Sequence, residues 1–113
     1  MVIEMRIIGD VRILDCNGKI KLGEGTTAIR KAVLDALQAG TKKLILNFEE
    51  IDYIDSSGVG ALLSAYTSVA SAGGKMKLLH LTARIRELLM ITKLLTVFEA
   101  HDNEQEAIES FRR

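Results

Sequence analysis

The sequence predicts a single α/β domain over residues 1–113: a mixed, mostly parallel sheet with an antiparallel N-terminal hairpin and about four helices. Three observations lead there. First, β-rich apolar runs alternate with segments of helical apolar spacing, which calls for crossover connections and therefore parallel strands. Second, the first two runs are parted only by Gly9-Asp10, a two-residue hairpin signal. Third, no linker, repeat or low-complexity stretch divides the 113 residues; 48% are apolar and 27% charged, the balance of a packed globular domain.

Taken in order, Val2 to Ile8 and Val11 to Cys16 read as the hairpin strands. Asn17-Gly18 is a second turn signal, followed by the alternating Lys19-Ile20-Lys21-Leu22. It marks either another hairpin or a bend or bulge within one longer strand. Gly23-Glu24-Gly25 reads as a loop, with Thr26 or Thr27 capping a helix that carries Ile29, Val33, Ala36 and Leu37 and stops at Gly40. Leu44 to Phe48 is an almost unbroken apolar run, typical of a buried strand, and Glu49 to Tyr53 reads as loop. A second helix runs from about Ser57 to Ala72, with Val59, Leu62, Leu63, Tyr66, Val69 and Ala70 at helical spacing and Gly73-Gly74 ending it. Met76 to Leu81 is a further buried strand. Thr82 caps a third helix bearing Ile85, Leu88, Leu89 and Thr92, and Val97 to Ala100 is a short last strand. Asn103 with Glu106 forms a capping-box pattern for a final helix carrying Ala107, Ile108 and Phe111.

Composition excludes several functions. A formal net charge of zero and 4% aromatic content argue against nucleic acid, which needs a basic stripe and bases stacked on rings. The single cysteine, Cys16, reads as an apolar filler, and no Cys/His cluster has metal spacing. The N-terminus is interrupted by charge too early for a signal peptide, and no apolar run approaches the roughly 20 residues of a membrane span. A soluble cytoplasmic protein is expected, without bound metal or cofactor.

The chemistry concentrates in Asp55-Ser56-Ser57-Gly58-Val59-Gly60, where a strand and a short acidic stretch deliver two hydroxyls to a helix start. In open parallel sheets, loops beyond the carboxyl ends of strands carry function. Orphan amides and the positive end of the helix dipole also point there. Three readings are open. Ser56 is a helix cap and Ser57 incidental. Alternatively a serine is a nucleophile, with His80 or His101 as base; yet the elbow pattern of flanking glycines is met only in part, by Gly58 after Ser56. Thirdly, Ser57 points outward and accepts a phosphoryl group at an interaction surface. Phosphate adds about −1.5 to −2 charge. Facing a partner carboxylate at about 6 Å and an effective dielectric near 20, each unit-charge pair costs roughly 2–3 kcal/mol. With close to two charges, one such contact weakens binding by about a hundredfold or more.

This element, following Leu44-Ile45-Leu46-Asn47-Phe48, resembles the signature of bacterial anti-sigma factor antagonists with the STAS fold. The similarity extends through Gly73-Gly74, Met76 to Leu81 and the segment from Ile91-Thr92-Lys93-Leu94 to Val97-Phe98. The resemblance implies a non-enzymatic regulator. Unphosphorylated, it binds an anti-sigma factor that is also a serine kinase, freeing a sigma factor. The kinase, which brings the ATP, phosphorylates Ser57 and the complex parts; a serine phosphatase resets it. Asp55, Ser56, Gly58 and Val59 then shape the partner-binding loop around Ser57, with Gly58 at a close approach. The early loop of the family carries an aspartate. Here Gly18 to Gly25 is longer and more basic, with Glu24 as the substitute contact. The resemblance also makes Gly9-Asp10 the hairpin and Gly18 a bend. Another function within the same fold is an accessory or scaffold subunit of a transport or stress-sensing complex, in which the serine is structural.

Overall fold

The computed structural model describes residues 1–112. Nine elements follow one another: β1 (Val2–Ile8), β2 (Val11–Ile20), α1 (Glu24–Gln38), β3 (Lys43–Ile54), α2 (Ser56–Ser71), β4 (Lys75–Leu79), α3 (Ala83–Ile91), β5 (Ala100–His101) and α4 (Glu104–Ser110). The strands lie in sequence order in one sheet; β1 and β2 are antiparallel and every later pair is parallel. Gly9 takes a positive φ of 63° at the first turn position, the conformation a two-residue Gly-X hairpin needs.

The period of two along each strand sorts the core into two layers. Leu14, Cys16, Leu44, Leu46, Phe48, Met76 and Leu78 face α1, α2 and α3, joined by Ile29, Val33, Leu62, Val69, Ile85 and Leu89. On the opposite face Val11, Ile13, Ile45 and Leu79 meet Ala107 and Ile108 of α4. Both strands at the centre therefore read as continuous apolar runs. Burial raises the Cys16 thiol to about 12, so it remains a protonated filler.

Gly18 is a bend inside β2, as the resemblance implies, with φ 123°, and the strand continues past Cys16 to Ile20. Other strand lengths differ from expectation. Glu49 to Tyr53, expected as loop, is strand: β3 pairs β2 through Asn17↔Glu50, Gly18↔Ile51, Lys19↔Tyr53 and Ile20↔Ile54, with two register shifts on the way. Ile51 and Ile54 hold this extension in the core at 3% exposure each. The acidic residues around them misled the sequence reading because β4 stops opposite Asn47, so the extension has one open edge where charge stays hydrated. The last strand is also shorter than expected. Val97 and Phe98 lie in turns, since Phe98 must swing into the core, its ring edge-on to Tyr66 at 5.4 Å. Only Ala100–His101 pairs with β4.

Helix ends follow local chemistry, with one shift. α1 begins at Glu24, capped by Gly23 rather than by a threonine. Thr26 instead closes the first turn from inside it, exchanging 3.2 Å hydrogen bonds with the Gly23 amide and carbonyl. Thr82 and Asn103 cap α3 and α4 as their sequence patterns predict, accepting from Ile85 and Glu106 amides.

Between α4 and the sheet sits a buried lysine. Lys77, 5% exposed, donates to Ser110 Oγ at 2.7 Å, pairs with Glu99 Oε2 at 2.8 Å and lies 4.4 Å above the Phe111 ring. Partial burial alone would raise the Glu99 carboxyl, but Lys77 and His101 together hold it down at about 2. A carboxylate depressed in the fold contributes stability above its unfolded value, and that contribution is lost as pH falls towards about 2. Glu99→Gln should therefore destabilise the protein at pH 7 by about 1–2 kcal/mol, less than a fully buried pair because Glu99 is half exposed. In denaturant titrations the gap from wild type should narrow as pH drops from about 4.5 towards 2; a gap independent of pH would show that the ion pair contributes nothing.

Candidate functional site

Ile20 and Ile54 end their strands side by side, and each chain then turns out of the sheet to open a helix. Both helix starts press on the last carbonyls of β2. A Cβ on Gly25 would stand 2.3 Å from the Lys19 oxygen. One on Gly58 would stand 2.3 Å from the Ile20 oxygen and 2.7 Å from Ile54 Cγ1. No side chain fits in either space. The N-termini of α1 and α2 are thereby brought to one rim of the domain.

Asp55 ties the two together. Its backbone is extended, its Oδ1 accepts from the Gly58 amide at 2.8 Å, its Oδ2 accepts from the Leu22 amide at 3.4 Å, and its own amide donates to the Ile20 carbonyl at 3.3 Å. Asp55 is thus the cap of α2, where Ser56 was expected. The reason is register: a cap residue is extended and reaches back from one position before the helix, whereas Ser56 is already the first helical residue.

The serines are consequently both free for other work. Ser56 is exposed and Ser57, in the second helical position, is half-buried. Among the described residues no hydrogen bond engages either hydroxyl, and the Ser56 and Ser57 amides have no protein acceptor. Of the other expected contact residues, Gly58 and Val59 are buried and shape the loop from beneath, Val59 at 5% exposure. Glu24 lies at the start of α1 with its side chain 82% exposed, accepting from the Met1 amino group at 3.0 Å. Sequence reading missed Leu22, which is 76% exposed on the same rim beside Asp55. An apolar residue stranded between Lys21 and Gly23 in a turn was the available signal.

The histidines stand elsewhere. His80 leaves β4 with a positive φ of 55°, and its amide donates to the His101 carbonyl at 2.9 Å. The His101 ring lies 2.6 Å from Glu99. β4 ends opposite Asn47, and β3 runs on from there to Ile54, roughly 20 Å at the rise of a strand. Among the described residues no Ser–His pair forms.

A mixed sheet that lifts two neighbouring helix N-termini and an unengaged serine pair to one rim defines a small domain built to present a loop. The STAS domain model matches residues 2–107, and the chain belongs to that family. A Thermotoga neapolitana protein described as a candidate anti-sigma factor antagonist is 31% identical over 105 residues, covering 92% of each chain. The crystal structure of a candidate anti-sigma factor antagonist from Thermotoga maritima matches with a TM-score of 0.89 at 28% identity, over 98% of this chain and 95% of that one. Bacillus SpoIIAA, an anti-sigma factor antagonist solved in unphosphorylated and phosphorylated forms, shares the fold with a TM-score of 0.74 at 23% identity, over 98% of this chain and 98–100% of those.

Two glycines separate packing from propensity. Gly58→Ala should cost about 1–3 kcal/mol by overpacking. Gly60→Ala meets nothing within 4 Å and should stabilise α2 by roughly 0.5–1 kcal/mol. Asp55→Ala should cost about 0.5–2 kcal/mol while Asp55→Asn keeps most of the cap. Thermal unfolding of the four variants checks the order.

Proposed function

We propose that this protein is an anti-sigma factor antagonist acting in the cytoplasm, whose partner is an anti-sigma factor with serine kinase activity. In the unphosphorylated form the rim carrying Leu22, Glu24, Asp55, Ser56 and Ser57 docks on that partner and so releases a sigma factor. Transfer of a phosphoryl group from the kinase's ATP to Ser57 separates the two, and a serine phosphatase restores the binding form. Family membership and the descriptions of the relatives support the partner class. The observation that carries the switch is the pair of unpartnered amides beside unengaged hydroxyls at the start of α2. A phosphate there sits at the positive end of the helix dipole, so the domain tolerates it without unfolding. A partner carboxylate seated against the same rim does not.

Gly58 and Val59 support this by keeping the loop rigid from below, so modification changes charge rather than shape. Asp55 is spent on two amides and serves as an anchor of the loop.

The chain should be mixed with a partner recovered by pull-down, then given ATP and magnesium. Mass spectrometry should find the phosphate on Ser57, and the complex should dissociate. Ser57→Asp should weaken binding, by about tenfold to a hundredfold, while Ser57→Ala binds and resists release by ATP. A phosphate found on Ser56 instead, or Ser57→Ala leaving release intact, would overturn the mechanism. A partner that stays bound whatever stands at position 57 would favour the scaffold function.

A further inference from the structure

We propose that two copies of this chain join edge to edge through β1, in antiparallel register with Met5 on the two-fold axis, making one continuous ten-stranded sheet. β5, at the far edge, pairs over two residues, so β1 is the long free edge of the sheet. It is seven residues long and unusually apolar for an edge: Val2, Met5, Ile7 and Ile8 are 60%, 50%, 58% and 40% exposed. Long exposed apolar edges are pairing templates unless something blocks them.

The hairpin decides which backbone groups are free. Residues flanking a two-residue turn exchange both main-chain bonds, so Ile8↔Val11 and then Arg6↔Ile13, Glu4↔Asp15 and Val2↔Asn17 are the bonded pairs of β1 with β2. The amides and carbonyls of Ile3, Met5 and Ile7 therefore point outward. An antiparallel second β1 bonds to them only if odd residues face odd residues, which leaves a few registers.

Charge selects one of these. With Met5 opposite Met5, Ile3 meets Ile7, Val2 meets Ile8 and Glu4 meets Arg6, each pair occurring twice by symmetry. Shifting one register either way places Glu4 opposite Glu4 or Arg6 opposite Arg6 on the axis, and like charges directly opposed are destabilising. Among the described residues Glu4 has no ionic partner within the chain. Arg6 binds Asp15 and Glu104 through four of its N–H groups, Nε and Nη2 to Asp15, Nη1 and Nη2 to Glu104. One of its five donors remains for the second copy's Glu4. On the helix side of the sheet, the cavity of about 390 Å³ between β1 and α1, lined by Ile3, Met5, Leu14, Ala28 and Ala32, lies beside the axis, where the second Met5 closes over it.

Sedimentation velocity across micromolar concentrations should show a dimer, and Met5→Lys should weaken it by roughly tenfold or more, since two lysines then face each other on the axis. Met5 is 50% exposed, and unchanged far-UV circular dichroism confirms that the variant folds. Cysteine scanning in a Cys16→Ser background tests the register, since Cys16 faces Ile3 across the hairpin. Opposed Cα atoms in a bonded antiparallel pair stand about 5.5 Å apart, within disulfide reach. Met5→Cys should crosslink under mild oxidation, Ile3→Cys and Ile7→Cys should not crosslink alone, and the latter two mixed should crosslink with each other. A monomer at all concentrations, a dimer indifferent to Met5→Lys, or crosslinking of Ile7→Cys on its own would each overturn the proposal.

Discussion

The parallel pairing of β2 with β3, carried all the way to Ile20 beside Ile54, is the constraint on which the rest depends. Central strands alone would need it only as far as β4 reaches, to Asn47. The extra length carries two chain exits to the same height, where the Lys19 and Ile20 carbonyls become the floor under both helix starts. Glycine at 25 and 58 follows from that floor rather than from any need for an unusual backbone. Asp55 follows too: with α2 pressed this close, its carboxylate spans from the Gly58 amide to the Leu22 amide and fastens one exit loop to the other. The serines are left over by this arrangement, held in place and chemically unspent.

The two faces of the sheet are stabilised differently. The face under α1, α2 and α3 is apolar throughout. The face under α4 is apolar only near Ile13, Ile45 and Leu79, because α4 is short. Where its cover ends, polar networks take over. Asp15 receives Arg6 and Asn47, and Arg6 also holds Glu104; these bonds hold the Asp15 and Glu104 carboxyls below their usual range, with Arg6 the main cause in both. Lys77 spans to Ser110 and Glu99. Each network links α4 or the strand before it to the sheet, which explains how so short a helix stays docked. At the rim of this half-covered face β1 carries Glu4 and Arg6 on either side of Met5, and Arg6 is the residue that joins β1 to β2 and α4.

Much of this was legible in the residues. The hairpin at Gly9-Asp10, the four helices, the caps at Thr82 and Asn103 and the two-sided burial of the central strands all rest on short-range chemistry: turn geometry, capping reach and periodicity. The Asp55 to Gly60 element was recognisable as a strand-to-helix junction for the same reason. The misread segments are those whose conformation is set by a neighbour. Glu49 to Tyr53 looks like loop by composition and is strand because β2 lies alongside; Val97 to Phe98 looks like strand and turns away because Phe98 fits against Tyr66. The cap of α2 fell one residue earlier than expected because Ile20 receives the Asp55 amide and fixes where extended backbone ends.

By itself, then, the sequence determined the fold class, the order of the elements and the place where two hydroxyls meet a helix start, since these depend on periods and contacts within a few residues. Tertiary structure decided which residue caps, which glycines are steric necessities, that Leu22 and Glu24 share a rim with Ser57, and that among the described residues no histidine stands beside it. Those are distances between segments far apart in the chain, settled only when β2 and β3 are laid side by side to their ends.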